Sequence, residues 1–265
     1  MPSRPAPIIT LTTDFGLADH YAGTMKGVIL RICPRARIVD ITHECRPYEI
    51  FEAAFAIAQA APYFPPRTVH VVVVDPGVGT ARRPILVESE RNYFIGPDNG
   101  VFAFIFSRGK ARVRAITNSK YFLHPVSRTF HGRDVFAPAA AHLAQGVPPA
   151  RFGKLVGDYL RPQSLQPERT ARRGWTGSIL KVDRFGNLIT NFHAEAYPRV
   201  LEGPFEIAVG LDRVNRLATN YEQLGPGELF LIVGSSGYFE ISAGQASAAR
   251  ILGVAAGAPL ELTIF

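Results

Sequence analysis

The run His70-Val71-Val72-Val73-Val74, continuing into Asp75-Pro76-Gly77-Val78-Gly79-Thr80-Ala81-Arg82-Arg83, decides the fold. Consecutive β-branched residues favour extended backbone, and apolar side chains on both sides of the pleat predict a strand buried on both faces. Strands of that kind belong to sheets covered by helices. The residues that follow are turn formers and charges, as expected of a loop at the carboxyl end of such a strand.

The flanking sequence fits the same plan. Residues 8–12 predict a strand, 20–32 a helix and 39–41 a second strand. Over 50–61, Ile50, Phe51, Ala54, Ile57, Ala58 and Ala61 recur at helical spacing before Pro62. Residues 85–89 and 93–95 predict a hairpin about Glu90-Arg91-Asn92, and 134–144 predict a helix. Residues 1–159 are therefore read as an α/β sheet domain. Residues 160–174, rich in Pro, Gln and Arg without periodicity, read as a linker. Over 175–265 the texture changes to short strands at 175–182, 188–191, 205–209, 229–233, 238–242 and 260–264. Gly and Pro punctuate them, which predicts a small C-terminal β-barrel domain.

At 265 residues and 47% hydrophobic composition, the chain can bury a core without disulfides or metals. Two cysteines without a pairing or metal-binding pattern, no signal-like start and no apolar run of membrane-spanning length predict a cytoplasmic protein. The net charge of +7 raises nucleic acid as a partner. Between Arg151 and Arg173, however, six basic residues stand against Asp158 and Glu168, so this one stretch carries much of the excess. No nucleic-acid-binding signature accompanies it, and nucleic acid is not expected to be a partner.

Ligands of open α/β sheets bind outside the carboxyl ends of the strands. Four polar motifs follow predicted strands: Thr13-Asp14-Phe15-Gly16, Thr42-His43-Glu44, Asp75 to Arg83, and Gly96-Pro97-Asp98-Asn99-Gly100. A fifth, Phe130-His131-Gly132-Arg133-Asp134, opens a helix. Dinucleotide and phosphate-loop glycine patterns are missing, as are HExxH, a Cys–His cluster and the nucleophile-elbow pattern around Gly234-Ser235-Ser236-Gly237. The remaining chemistry is carboxylate, guanidinium and imidazole, with no metal and no cofactor expected.

TTDFG, DPGVGTARR, GPDNG, TFHGRD and DRFGN, in that order over residues 8–264, resemble the S-adenosyl-L-methionine (SAM) hydroxide adenosyltransferase family. These hydrolases form adenosine and methionine and are related to fluorinases and chlorinases. The resemblance implies a catalytic set of Asp75, Arg82 and His131, with Arg82 rather than Arg83 matching the family spacing. It places Asp14 on the ribose hydroxyls, Tyr48 near the nucleoside, and Asp183 and Asn187 at the methionine amino end and the ribose. Ser235 and Ser236 fall on the methionine carboxylate loop; the halogenases carry arginine at the second of these positions. A homotrimer with sites between subunits is implied as well.

The chemistry is compatible with those residues. A sulfonium leaves as a neutral thioether and needs no general acid, so the demand falls on positioning and deprotonating one water. Carboxylate or imidazole can take the proton while arginine holds the geometry. Two other readings stand beside this one. A metal-dependent nucleoside hydrolase would begin similarly but calls for more aspartates after Asp14 than Asp19 alone. A non-catalytic adenosine- or SAM-binding module would not need the Asp75, Arg82 and His131 set.

Overall fold

A computed structural model of the protein describes residues 5–89, 91–162 and 166–265. Glu90 of the expected hairpin turn and residues 163–165 of the expected linker lie outside the described residues. The chain divides into two compact units, Met1–Pro162 and Gln163–Phe265.

In the first unit the predicted alternation becomes β1 (Ile8–Thr13), α1 (Tyr21–Ile32), β2 (Arg37–Thr42), α2 (Ile50–Ala60) and β3 (Val69–Val73). These are followed by β4 (Pro84–Ser89), β5 (Asn92–Pro97), α3 (Ala103–Ser107), β6 (Ala111–Ala115) and α4 (Ala137–Ala144). The sheet order is β2-β1-β3-β5-β4-β6. β2, β1, β3 and β5 run parallel, and β4 is antiparallel to both its neighbours. Every residue of β3 is buried, as a strand covered on both faces requires. Ile9, Leu11, Val69, Val71 and Val73 join Met25 and Ile29 of α1 and the alanines of α4 in one core. α2 and α3 pack together, with α2 against β1, β2 and β3.

The direction of β4 explains where the Asp75 to Arg83 loop ends up. A parallel successor to β3 would need a crossover to the opposite edge. An antiparallel one starts where β3 ends, so the whole loop stays at the carboxyl edge of the sheet. β5 then returns to the same edge and delivers Asp98 and Asn99 beside it, where Asn99 Nδ2 donates to the Val74 carbonyl at 2.9 Å.

The helix expected over 134–144 begins earlier, as a π turn at Gly132–Phe136 leading into α4. Pro138 has no N–H to return to Asp134 and its ring crowds that carbonyl, so the backbone widens. The Asp134 carbonyl instead accepts from the Leu123 N–H at 2.8 Å. α3 and β6 are additions to the expected plan. β6 reads Ala-Arg-Val-Arg-Ala, and its Arg114 is buried through a contact with Glu88 at 3.2 Å, a partner not visible locally.

The second unit contains β7 (Glu168–Ala171), β8 (Gly174–Val182), β9 (Leu188–His193), α5 (Arg199–Glu202), β10 (Phe205–Val209) and β11 (Asp212–Val214). After these come β12 (Leu229–Val233), β13 (Tyr238–Ala243), α6 (Ala248–Leu252) and β14 (Pro259–Ile264). Its antiparallel path is β11-β10-β14-β8-β9-β13-β12. A bridge between Leu217, just after β11, and Leu231 of β12 nearly closes it into a barrel around Leu188, Phe192, Leu231, Phe239, Ile241 and Leu262. Part of the segment expected as a linker is β7, paired with β8. All four of its residues are exposed, so this edge strand has no apolar face to betray it.

His70 is the one β3 residue that is not valine. It is fully buried, stacks on Phe94, and has Nδ1 2.8 Å from Thr10 Oγ1. Burial lowers its pKa from 6.5 to about 4. The neutral ring is the folded form, whereas the unfolded chain takes up a proton below pH 6.5. Stability is therefore present above pH 6.5 and declines as pH falls towards 4, by up to about 3 kcal/mol. Urea unfolding of His70→Gln at pH 7 and pH 4.5 should show a smaller loss between the two than the parent shows. Equal losses would remove His70 from the acid response.

Candidate active site

A cavity of about 340 Å³ opens at the carboxyl edge of the first unit's sheet. Asp14 from the end of β1, Tyr48 from the loop after β2, Asp75 from the end of β3 and His131 from the start of the π turn all line it. Phe15, Tyr21 and Phe130 form an aromatic wall, with the Tyr21 and Phe130 rings edge to face at 5.2 Å. A larger hollow of about 700 Å³ lies at the opposite edge, where α1 and α4 end. The strand-end motifs are not there. Arg35, Arg37 and Arg67 line it beside helix carboxyl termini, whose partial negative charge such cations offset.

Arg82 joins the two loops that carry Asp75 and His131. Its Nε donates to Asp75 Oδ1 at 2.9 Å, and its Nη2 donates to Asp75 Oδ2 and to His131 Nδ1, the latter at 2.8 Å. The Asp75 and Arg82 side chains keep only 5% and 9% of their exposure, and the guanidinium lies over Phe136. Arginine donates and cannot accept, so Nδ1 of His131 must be the bare nitrogen. The neutral ring then carries its hydrogen on Nε2. Burial lowers the His131 pKa, the Arg82 charge lowers it further, and Asp75 and Asp134 act the other way.

The neighbouring arginine goes elsewhere. Arg83 binds Asp98 at 2.8 Å and Asp158 at 2.8 Å, pinning β5 and residue 158 to the loop. Only Arg82 faces Asp75 and His131.

Asp14 is differently placed. Oδ2 accepts the Tyr48 N–H at 3.0 Å. Burial raises its pKa, hydrogen bonds from the Tyr48 backbone and its own oppose this, and the charge of Asp75 adds to the rise. The Tyr48 ring is 73% exposed at the rim, and its backbone takes the left-handed φ of 70°.

In the second unit, Asp183 and Asn187 are together. Asp183 Oδ1 accepts the backbone N–H of Asn187 at 2.8 Å and Oδ2 accepts its side-chain amide at 2.9 Å, tying the β8–β9 turn. Ser235 and Ser236 occupy the β12–β13 turn, closed by the Gly234 N–H to the Tyr238 carbonyl at 2.9 Å. Glu240 of β13 is a residue the sequence reading missed. Burial raises its pKa, and Asp183 adds to the rise. A Cβ at Gly234 would stand 1.8 Å from Glu240 Oε1, so glycine there makes room for the carboxylate. Among the described residues, no group of three or more His, Cys, Asp or Glu side chains is arranged to hold a metal ion.

Gly79 lets the Asp75 loop reach the segment before His131. It has φ +77°, and a Cβ there would lie 2.3 Å from the Arg128 carbonyl oxygen. Gly79→Ala should lower unfolding stability by about 2 kcal/mol or more, since both strain and a backbone clash are introduced. Gly77→Ala, whose Cβ would meet only ordinary contacts at 3.5 Å, should lose clearly less in the same denaturant titration.

The chain resembles known proteins over nearly its whole length. The family model described as the SAM hydroxide adenosyltransferase N-terminal domain matches residues 9–153, and that for the C-terminal domain matches residues 177–261. The chain is 38% identical to an (R)-S-adenosyl-L-methionine hydrolase of Salinispora tropica over 98% of each chain. It is 40% identical to one from Salinispora arenicola, covering 97% of this chain and 98% of the other. A fluorinase from Actinoplanes is more distant, at 29% identity over 73% of this chain and 74% of its own. The crystal structure of an uncharacterized conserved protein from Thermotoga maritima superposes with a TM-score of 0.89 at 35% identity, over 96% of this chain and 99% of the other. With both of its domains matched in order, the chain belongs to the SAM hydroxide adenosyltransferase family.

Proposed function

We propose that the protein hydrolyses SAM to adenosine and L-methionine, by attack of water on the ribose 5′ carbon. The observation that carries this is the Arg82 fork, which joins Asp75 and His131 at a cavity that also contains Asp14. Water forms a bond to carbon, the carbon–sulfur bond breaks with its electron pair going to sulfur, and the water proton goes to Asp75. The carboxylate is the acceptor because His131 already spends its Nδ1 lone pair on Arg82. His131 then presents Nε2–H to the water oxygen and orients it. Asp14 accepts from the ribose hydroxyls, Tyr48 covers the nucleoside and the aromatic wall takes the adenine. Asp183, Asn187, Ser235 and Ser236 serve the methionine end and the ribose.

No added metal or cofactor takes part in this scheme, which sets it apart from a metal-dependent nucleoside hydrolase. We also propose a cytoplasmic location, as the sequence suggests; among the described residues no helix is long and apolar enough to cross a membrane. We further propose a homotrimer in which the second unit of one subunit completes the site of its neighbour. The exposed Phe185, 77% accessible beside the Asp183 turn, supports an interface there.

The deciding experiment is turnover in oxygen-18 water with EDTA present. Label should appear on the adenosine 5′ oxygen; free adenine, or unlabelled adenosine, would refute the reaction. Asp75→Ala, Arg82→Ala and His131→Ala should each lose about 10²–10⁴ in rate while still binding SAM. Double changes should lose little more than singles, because the three act as a unit.

For the assembly, sedimentation should give a trimer. Mixing Asp75→Ala with Asp183→Ala subunits should restore activity through mixed sites, and a fully active monomer would rule the trimer out.

A further inference from the structure

Thr13 and His43 belong to neither the catalytic set nor the cavity lining, yet both are buried, and Thr13 is the residue next to Asp14 in the chain. Thr13 Oγ1 lies 2.8 Å from His43 Nδ1 and also accepts the Phe15 N–H at 3.2 Å. The same two loops are laced by backbone bonds, Gly16 N–H to the His43 carbonyl at 2.7 Å and Cys45 N–H to the Thr13 carbonyl at 3.3 Å. On its far side, His43 Nε2 lies 3.1 Å from Asp40 Oδ1. Asp40 is in turn held by Lys26 at 2.6 Å.

The register explains how His43 comes to be there. Leu11 pairs with Asp40 but Thr12 pairs with Thr42, so Ile41 is an extra residue in β2. Such a bulge re-aims the side chains that follow it. Beside its own backbone N–H, Asp14 accepts from the Tyr48 N–H, a donor belonging to the loop that His43 opens. Among the described residues no cation pairs with Asp14, so these two loops set its position.

We infer that His43 is a positioning residue for the nucleoside end of the site, acting through the Thr13 hydroxyl to fix Asp14 against the loop that carries Tyr48. The inference rests on the reading of Asp14 as the ribose ligand. It assigns the Thr13–His43 contact to affinity for the nucleoside rather than to the rate of the bound complex.

Calorimetry with adenosine, paired with steady-state kinetics on SAM, tests it. Thr13→Val removes the hydroxyl at nearly constant volume. Its adenosine Kd and its KM for SAM should rise about tenfold, the scale of one buried hydrogen bond, with kcat falling less than twofold. Thr13→Ser restores the hydroxyl and should restore affinity, which a merely structural role for the threonine methyl would not predict. Should Thr13→Val fail to fold, His43→Asn, whose side-chain amide can stand where Nδ1 stood, compared with His43→Leu gives the same contrast. Parental Kd in Thr13→Val, or an equal fall in kcat, overturns the inference when Asp14→Ala has lost adenosine binding. Parental Kd in Asp14→Ala overturns the ribose reading instead.

Discussion

The Arg82 guanidinium is the point on which the rest of the site depends. Asp75 and His131 are 56 positions apart in the chain, on a loop after a strand and at the start of a helical turn, and one planar fork holds both. The hydrogen-bond inventory makes the arrangement one-directional. Arginine fills both oxygens of Asp75 and one nitrogen of His131 with donors, leaving one free lone pair per Asp75 oxygen and one imidazole N–H. On the proposed mechanism, that division would make Asp75 the acceptor and His131 the donor, without appeal to any pKa. Supporting contacts surround the fork. Arg83 anchors the loop to Asp98 and Asp158, while the fully buried Asp134 receives Arg133 at 2.6 Å and the Ser127 N–H at 2.8 Å, holding the segment before His131.

Charge gives a second constraint. Asp75 is paired with Arg82, whereas Asp14 lines the same cavity with no cation beside it among the described residues, and both burial and Asp75 push its carboxyl towards protonation. A cavity in that condition favours a positively charged guest. A sulfonium entering it would meet carboxylates with little water between, where electrostatic attraction is stronger than in bulk. In the proposed reaction, attack by water would discharge that cation while a proton reached Asp75, so charge would be dispersed rather than created in the pocket.

The readable parts of the sequence were those where one residue type suffices to state the case. Valines 71–74 announced a doubly covered strand, and turn residues after each strand marked the carboxyl edge. Contacts made at a distance were not readable. Thr13 and His43 are separated by 30 positions, and each alone is an ordinary strand-end residue. Glu240 in Tyr-Phe-Glu-Ile-Ser sits in a strand where a polar residue suggests solvent, yet it is buried against Gly234. The adjacent Arg82 and Arg83 could be told apart only by the family spacing. Their partners separate them physically: Arg82 binds Asp75 and His131, and Arg83 binds Asp98 and Asp158. β7 was unreadable for the opposite reason, since an exposed edge strand leaves no apolar record.

Three irregularities of the first unit's backbone lie beside the candidate site, although another, the left-handed Arg67, lies at the opposite edge. The extra residue at Ile41, the left-handed Tyr48 and the π turn at Gly132–Phe136 all lie at the carboxyl edge of one sheet. Each disfavours regular structure locally, and each has a specific consequence there. The bulge turns His43 towards Thr13, the left-handed residue aims an N–H at Asp14, and the widened turn sets His131 within reach of Arg82. Regular strands and helices would place these groups by their own periods, 2 or 3.6 residues, and those periods do not bring four separate loops to a common point. Departures from regularity supply the remaining adjustment. They persist because the buried hydrogen bonds around them, Thr13 to His43 and Leu123 to Asp134, leave the backbone few alternatives.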